Sequence, residues 1–309
     1  MYRCVLLLFL TSQAFPQFTY KAVNVSGATS TQVRGINSAG EMVGFYRTTS
    51  LFSCTDYTLQ VPNCAVHGFK VVGGTLTKVM VPNSVSTAIT GVNDYGDFVG
   101  FYQKLDGTYH GFLWLHTNII KTLNYPNTSL STVPIGVNNS LVVVGGLWSI
   151  NSVGTFANGG FVWANGKFSS INLGTEGCTD CTSINGISNN NIVVGQAFRN
   201  DFWNGFLKAG ADDDFRGGKN KGSDTFANGV NNATDIVGFN FQQGYFAKHI
   251  ELNEGTNDST EVVPGFIKVL FPNSAFTIPF GLNSGRAVVG TYGKNDGTGL
   301  HGFVATANF

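Results

Sequence analysis

The sequence predicts an all-β fold, a six-bladed β-propeller built of four-stranded antiparallel blades. Three observations predict it: a turn-and-strand unit recurs six times, each unit holds signals for four strands, and the two chain ends complement each other in one unit. Sheets repeated at this period are typical of propeller blades, which bury their faces by stacking on their neighbours. Seven blades stay open as an alternative, because insertions in the fourth and fifth units blur the count.

The repeated unit opens with glycine, an aliphatic residue and asparagine, and it reaches a second glycine nine residues later. Serine replaces the asparagine in the fourth copy, at Ser188, and valine precedes the second glycine in every copy. Successive copies start 56, 45, 50, 43 and 52 residues apart. The copies begin at Gly35, Gly91, Gly136, Gly186, Gly229 and Gly281.

Each unit carries the signals of a four-stranded meander, as its second copy illustrates. Asn93 starts a turn and Gly96 stands where a positive φ is wanted, which indicates a short hairpin loop. Phe98–Tyr102 then supplies apolar, β-prone residues for the second strand, and Gly111-Phe112 begins the third. The fourth strand, Lys121–Pro126, ends at a proline, where a missing N–H costs least.

The chain ends predict how the ring closes. Tyr20–Val25 has the pattern of a fourth strand but has no unit before it. Phe303–Ala305 has the pattern of a third strand but has no fourth strand after it. Pairing of these two segments in one blade completes a ring of six.

Residues 1–14 have the features of a secretory signal peptide. Arg3 precedes an apolar run of seven residues, Cys4–Leu10, and Ser12 and Ala14 are the small residues of a cleavage site. The run is far shorter than the ~20 residues of a membrane-spanning helix, and the alternative is a buried first strand. We predict cleavage after Ala14, a single propeller domain over residues 15–309, and a secreted, extracellular or periplasmic location.

The charge balance disfavours several classes of partner. Lys+Arg and Asp+Glu number 18 each, so the surface gives no electrostatic reason to bind nucleic acid or acidic membranes. No segment after the signal is apolar enough to span a membrane. We expect a monomer with no nucleic-acid partner and no membrane span.

Four cysteines remain after removal of the signal. Cys54 and Cys64 flank an insertion in the first unit, and Cys178 and Cys181 share one loop. In an exported protein this arrangement predicts two local disulfides. The alternative for the second pair is a redox or zinc site, but no helix follows it and no histidine lies nearby.

Three histidines, His67, His110 and His301, occupy one repeat position just before Gly-Phe, on neighbouring blades. Packed sheets stand ~10 Å apart, whereas a metal ion binds its ligands at ~2 Å, so equivalent residues on adjacent blades are too far apart to share one ion. We therefore predict no metal site there, and a structural role through ring hydrogen bonds instead. His116 and His249 lie outside this pattern and have no evident partner.

Acidic residues cluster in two insertions. Asp212, Asp213 and Asp214 begin what reads as an irregular insertion in the fourth unit, and carboxylates on a flexible loop suit Ca²⁺. They lack the alternating spacing of a calcium loop, so a solvated loop is the alternative. The second cluster comprises Glu251, Glu254, Asp258 and Glu261.

A further candidate site is the central channel. If the strand that leads into each first glycine is innermost, the residue before that glycine faces the channel. These residues are Arg34, Thr90, Ile135, Asn185, Asn228 and Phe280. The polar members, Arg34, Thr90, Asn185 and Asn228, are candidates for binding a sugar or peptide. The ring holds no general acid or base, so we predict no catalytic residue in it. The alternative is that these side chains merely fill the channel mouth.

The unit Gly-Ile-Asn-x-x-Gly-x-x-Val-Gly-x-Tyr, followed by His-Gly-Phe and a Val-x-Val-Pro-like strand, resembles the HAF-repeat family of extracellular proteins. The resemblance covers about residues 18 to 309. It implies export and a repeat-built β-fold, and it implies no enzymatic activity. The histidine of the family motif is lost at Gly159, Asn204 and Gln243, which weakens any shared role for it.

Function follows from the sequence only in outline. We expect a secreted, non-catalytic binding or scaffold module for a polysaccharide or an extracellular protein. The alternative is a glycan-active hydrolase or lyase with a carboxylate site on the loop insertions. A calcium-stabilised scaffold without a ligand is the third hypothesis.

Overall fold

The fold is a six-bladed β-propeller, as predicted. The computed structural model describes residues 17–48, 65–151, 154–174, 181–199, 201–210, 212–216, 224–240, 243–248 and 266–309. These residues form six four-stranded antiparallel sheets, and the first strand of each sheet contacts the first strands of both neighbouring sheets. The first strands are therefore innermost, around a central channel. No helix among the described residues is long and apolar enough to cross a membrane.

The blades are numbered in chain order, each from its innermost strand outward. Blade 1 consists of β2 (Ser30–Ile36), β3 (Met42–Arg47), β4 (His67–Val72) and β5 (Thr75–Val79). Blade 2 consists of β6 (Ser84–Val92), β7 (Phe98–Lys104), β8 (Tyr109–Trp114) and β9 (Ile120–Leu123). Blade 3 consists of β10 (Ser131–Val137), β11 (Val143–Asn151), β12 (Gly154–Ala164) and β13 (Lys167–Ile171).

Blade 4 consists of β14 (Thr182–Ile187), β15 (Val193–Arg199), β16 (Phe202–Ala209) and β17 (Asp212–Arg216). Blade 5 consists of β18 (Thr225–Val230), β19 (Ile236–Asn240), β20 (Gln243–Ala247) and β21 (Ile267–Val269). Blade 6 consists of β22 (Ser274–Leu282), β23 (Ala287–Lys294), β24 (Leu300–Ala307) and β1 (Phe18–Val23).

Blade 6 closes the ring with strands from both ends of the chain. β1 pairs antiparallel with β24 from Phe18 opposite Ala307 to Val23 opposite Gly302. Phe18 is buried, and its ring meets the ring of Phe246 in blade 5 at a centroid distance of 5.9 Å. The predicted closure by terminal strands is confirmed, with β1 beginning and ending two residues earlier than the sequence pattern placed it.

The first glycine of each unit lies where neighbouring innermost strands meet. A Cβ on Gly35 would lie 3.2 Å from Gly91 Cα, and one on Gly281 would lie 3.3 Å from Gly35 Cα. A side chain at these positions would push adjacent blades apart. The repeated glycine therefore allows the six innermost strands to approach closely around the channel.

The repeated valine and phenylalanine form the core between blades. The valine before each second glycine is at most 2% exposed, and so is the phenylalanine of each Gly-Phe pair. These valines are Val43, Val99, Val144, Val194, Val237 and Val289, and the phenylalanines are Phe69, Phe112, Phe161, Phe206 and Phe303, while blade 5 has Tyr245 at this position, 8% exposed. The repeat pattern thus records one packing arrangement used in every blade.

One predicted element is wrong. Asp212, Asp213 and Asp214 do not begin an irregular insertion; they form the start of β17, the outermost strand of blade 4. Asp213 stands opposite Lys208 and Asp214 opposite Leu207 in the ladder with β16. The acidic composition argued against a strand, but an outermost strand needs only one pairing partner and faces solvent at its free edge.

Candidate functional site

The predicted channel ring exists. In every blade, the residue before the first glycine is a β-bulge, since the register with the second strand shifts there. A bulge re-aims its side chain, and all six residues line one section of the channel, with a free volume of about 70 Å³. That volume holds a few water molecules and is too small for a sugar ring.

Three of the four polar candidates in the ring already bind the following blade. Each donates a hydrogen bond to a buried backbone carbonyl there, so these groups join blades rather than point freely into the channel. The pairs are Thr90 with Pro134 (2.7 Å), Asn185 with Ala227 (3.0 Å) and Asn228 with Pro279 (2.8 Å). Unpaired carbonyls buried at these seams would cost about 1–3 kcal/mol each.

Arg34, the fourth candidate, stacks inside the ring. Its guanidinium carbon lies 3.7 Å from the centroid of the Phe280 ring, and its Nη1 donates to Gln32 Oε1 at 3.2 Å. The side chain is 4% exposed, and a cation over an aromatic face is stabilised by the ring quadrupole. Arg34 therefore fills the channel between blade 1 and blade 6.

The motif asparagine performs two tasks at the mouth of the channel where the innermost strands end. Asn93 Oδ1 accepts hydrogen bonds from the backbone N–H groups of Tyr95 (3.0 Å) and Asp97 (2.9 Å), which closes the predicted turn. Asn93 Nδ2 donates to the carbonyl of Asn138 in the next blade at 3.2 Å. The equivalent inter-blade bonds are Asn37 to Asn93, Asn138 to Ser188, Asn231 to Asn283 and Asn283 to Asn37.

Asp94 is the acidic residue of this mouth. Its Oδ1 accepts from the Ser38 N–H at 2.9 Å, and its Oδ2 accepts from Asn139 Nδ2 at 2.9 Å and Asn189 Nδ2 at 3.2 Å. Burial alone would raise the pKa of Asp94, but the hydrogen bonds together outweigh it and hold the pKa below its usual value. The contact with Asn189, two blades away, narrows this mouth, where the free volume is also about 70 Å³.

The three repeat histidines lie beside the second-strand tyrosines. Their rings stand 5.4, 5.4 and 5.2 Å from Tyr46, Tyr102 and Tyr292, for His67, His110 and His301 respectively. Only His110 has the full set of predicted ring hydrogen bonds, to Thr108 Oγ1 (2.9 Å) and Asn124 Oδ1 (3.0 Å). His301 Nε2 is buried and has no hydrogen-bond partner in the part of the chain that the structure describes.

Several predictions lie outside the described residues. These are the signal peptide, the cysteines Cys54, Cys64 and Cys178, and the acidic insertion around Glu254. Cys181 lies just before β14, and the two disulfides stay predictions, as does a calcium ion at Asp212 to Asp214. No group of three or more metal-ligating side chains occurs within the described ranges.

A groove of about 480 Å³ lies between blades 1 and 2, within the range of about 300–1,000 Å³ typical of small-ligand sites. It combines exposed aromatic rings with groups that form hydrogen bonds. Its lining includes Glu41, Lys70 and Thr77 of blade 1 and Tyr95, Trp114 and His116 of blade 2. Tyr95 is 62% exposed, and Trp114 stacks on Phe98 with centroids 5.3 Å apart. The groove is thus amphipathic and open.

His116 in this groove is held by a buried carboxylate. Asp97 Oδ1 accepts from both the backbone N–H and Nδ1 of His116, each at 2.8 Å, while the other oxygen, Oδ2, accepts from Asn93 Nδ2 at 2.9 Å. Burial alone raises the pKa of Asp97, but these hydrogen bonds outweigh it and lower the pKa. With Nδ1 donating, Nε2 is left for a ligand, and the His116 side chain is 57% exposed.

This partner for His116 was not predicted from the sequence, although the repeats contain a signal for it. The fourth residue after the motif asparagine is acidic in three units, at Glu41, Asp97 and Asp235. In each, the asparagine amide donates to the acid, at 2.8, 2.9 and 3.0 Å. Asp235 also pairs with Arg286 of the next blade at 2.8 Å. In blades 2 and 5 the position therefore holds a buried acid that anchors an imidazole or a cation.

Comparison with protein-family models finds no match, and no curated protein matches the chain. Several solved propellers have a similar shape. Virginiamycin B lyase from Staphylococcus aureus is 11% identical with a TM-score of 0.48, covering 94% of this chain and 99% of its own. The β-propeller domain of the trilobed protease from Pyrococcus furiosus is 9% identical with a TM-score of 0.49, covering 91% and 79%.

A lectin also has a similar shape. The Aleuria aurantia lectin, in complex with Fucα1-6GlcNAc, is 10% identical with a TM-score of 0.48, covering 87% of this chain and 89% of its own. Likeness at these levels carries no argument about function. Function is therefore inferred from the groove and its side chains.

Proposed function

We propose that this protein is an exported binding module that holds a carbohydrate in the groove between blades 1 and 2. The observation that carries the proposal is the groove itself, about 480 Å³, with an exposed tyrosine, a half-buried tryptophan and several hydrogen-bonding groups. Aromatic rings cover the C–H face of a sugar, and polar groups around them pair with its hydroxyls. The channel, with about 70 Å³ at each constriction, offers no comparable space.

The test is a glycan-array screen of the purified protein, followed by calorimetry with each glycan that binds. Tyr95→Ala removes an exposed ring with little effect on packing, so we expect at least about a tenfold loss of affinity with unchanged stability. Leu105→Ala is the matched control, because Leu105 is 88% exposed in the β7–β8 hairpin of the same blade, away from the groove lining. No binding to any glycan, or equal loss in both variants, would refute the proposal.

A second candidate function is a glycan-active enzyme that uses the same groove. The Asp97–His116 pair favours it, since a carboxylate that fixes an imidazole leaves Nε2 as an acid–base group. Product analysis of each bound glycan separates the two functions. Cleavage that His116→Gln abolishes, while binding persists, would support the enzyme and refute the non-catalytic module.

A further inference from the structure

One residue of the groove breaks the repeat. The residue after Gly-Phe on the third strand is apolar in five units and lysine in the first. The apolar residues are Leu113, Val162, Leu207, Phe246 (which follows Gly244-Tyr245 in blade 5) and Val304, and each pairs, like Lys70, with the motif valine of the second strand. Of these, Leu113 and Leu207 are at most 1% exposed and pack between blades. Lys70 therefore places an ammonium group at a position that elsewhere belongs to the core.

Lys70 faces blade 2 across the groove. Alternate residues of a strand share a face, and a Cβ on Gly68, two residues earlier, would lie 2.9 Å from the Ile89 side chain of blade 2. Lys70 stands opposite Thr77 in the β4–β5 ladder, and both residues line the groove. Lys78 also lines the groove, but its ammonium lies 5.5 Å from the ring of Tyr46, within blade 1.

Among the residues that the structure describes, none is a counter-ion for the ammonium of Lys70. Within the described residues it forms no hydrogen bond and no ion pair, although the side chain is half-buried. Glu41, the acidic residue among those that line the groove, accepts a hydrogen bond from Asn37 Nδ2 at 2.8 Å. A half-buried cation without a partner lowers the stability of the fold. A lysine at this position is therefore best explained by an anionic ligand that pairs with its ammonium group.

We propose that the groove selects acidic saccharides, with the carboxylate of a uronic acid unit paired to Lys70. This inference rests on the proposed carbohydrate-binding function and names its ligand class. A uronic acid offers one carboxylate for Lys70, hydroxyls for Glu41 and His116 Nε2, and a C–H face for Tyr95. Since the whole chain is neutral, with 18 charges of each sign, the selectivity comes from this local charge-assisted contact rather than from a long-range field.

The test compares oligosaccharides of galacturonate, glucuronate and mannuronate, each beside its neutral methyl ester, by calorimetry with the full chain. We expect one acidic series to bind about 10- to 100-fold more tightly than its ester, as one charge-assisted hydrogen bond allows. Lys70→Met should abolish that difference by weakening the binding of the acidic series. Lys121→Met, an exposed lysine on β9, is the matched control and should keep the preference.

Lys70→Met also has a readout that a purely structural role would not give. Because methionine restores the apolar character of the other five blades, the variant should unfold at an equal or higher temperature while losing acid selectivity. Equal binding of acid and ester, unaffected by Lys70→Met but weakened by Tyr95→Ala, would overturn the acidic-ligand inference and leave the binding module intact. Absence of all glycan binding would overturn both.

Discussion

Replacing the motif asparagine of blade 2 with alanine should destabilise the ring strongly. Asn93 is 3% exposed and forms four hydrogen bonds, two at Oδ1 with backbone N–H groups of its own turn and two at Nδ2. One Nδ2 bond reaches the Asp97 carboxylate and the other reaches the Asn138 carbonyl of blade 3. Alanine removes all four bonds, although Asp97 keeps those from His116 and the Asn138 carbonyl keeps the one from the Leu141 N–H.

The magnitude follows from the kinds of bond lost. A neutral buried bond contributes about 0.5–1.5 kcal/mol and one to a charged group about 1.5–3 kcal/mol, and neighbouring contributions overlap. We therefore expect Asn93→Ala to lower the free energy of unfolding by about 3–5 kcal/mol. Asn93→Ser should lose about 2–3 kcal/mol, because a hydroxyl can still accept the turn bonds, as Ser188 does from Asn190 and Ile192 at 3.3 and 3.2 Å.

Urea unfolding of the full chain, followed by tryptophan fluorescence and far-UV circular dichroism, measures these differences. Ser140→Ala, on the turn of blade 3, is a suitable control because only its backbone N–H joins the network, accepted by Asn138 Oδ1. A loss below about 1 kcal/mol for Asn93→Ala would refute the assignment of an inter-blade role. Equal losses for alanine and serine would show that the turn bonds contribute nothing.

Three further predictions concern the ring. Ser188→Asn should add the missing amide bond to the Asn231 carbonyl and raise the free energy of unfolding by about 0.5–1.5 kcal/mol in the same urea assay; a decrease would contradict it. Burial and Lys294 lower the pKa of His301, so the unfolded state binds the proton more tightly and stability falls as pH drops below about 6.5. His301→Gln should remove that part of the slope in unfolding measured between about pH 5 and pH 8, and an unchanged slope would refute it. Phe18→Ala should weaken ring closure by about 3–5 kcal/mol, with hydrogen exchange rising first in β1 and β24, whereas uniform exchange would contradict closure by the terminal strand.

Much of the fold could be predicted because each unit repeats the same local chemistry. The glycine before the aliphatic residue, the buried valine and the Gly-Phe pair each serve one packing contact, and six copies separate that signal from chance. The Oδ1 half of the asparagine motif was predictable, because Asn93 caps residues only two and four positions away. The hydrogen bond that Asn93 Nδ2 donates to the next blade was not predictable, because the acceptor, Asn138, lies 45 residues further along the chain.

The candidate site was harder to predict because it is made by two blades. Asp97 and His116 are 19 residues apart and join only after the β7–β8 hairpin has folded back. The channel ring was predicted from its position on the innermost strands. The sequence alone does not show that the side chains of Thr90 and Asn228 donate hydrogen bonds to carbonyls of the next blade. Strand formation by Asp212–Arg216 was missed because pairing with β16 overrides the low strand propensity of aspartate.

The repeat also explains where function is expected in this ring. The positions that all six blades share are fixed by packing, and their polar groups form hydrogen bonds between blades. The symmetric channel therefore has few polar groups left to bind a ligand. A ligand site needs groups that packing does not use, so it should lie where one blade departs from the others. Lys70 departs from the apolar pattern and His116 has no repeat equivalent, yet both line the same groove. Two independent departures from the repeat pattern that meet between the same two blades are expected of a binding site kept by natural selection. Random mutation at a packed position would favour another apolar residue over a half-buried charge, because the charge lowers stability.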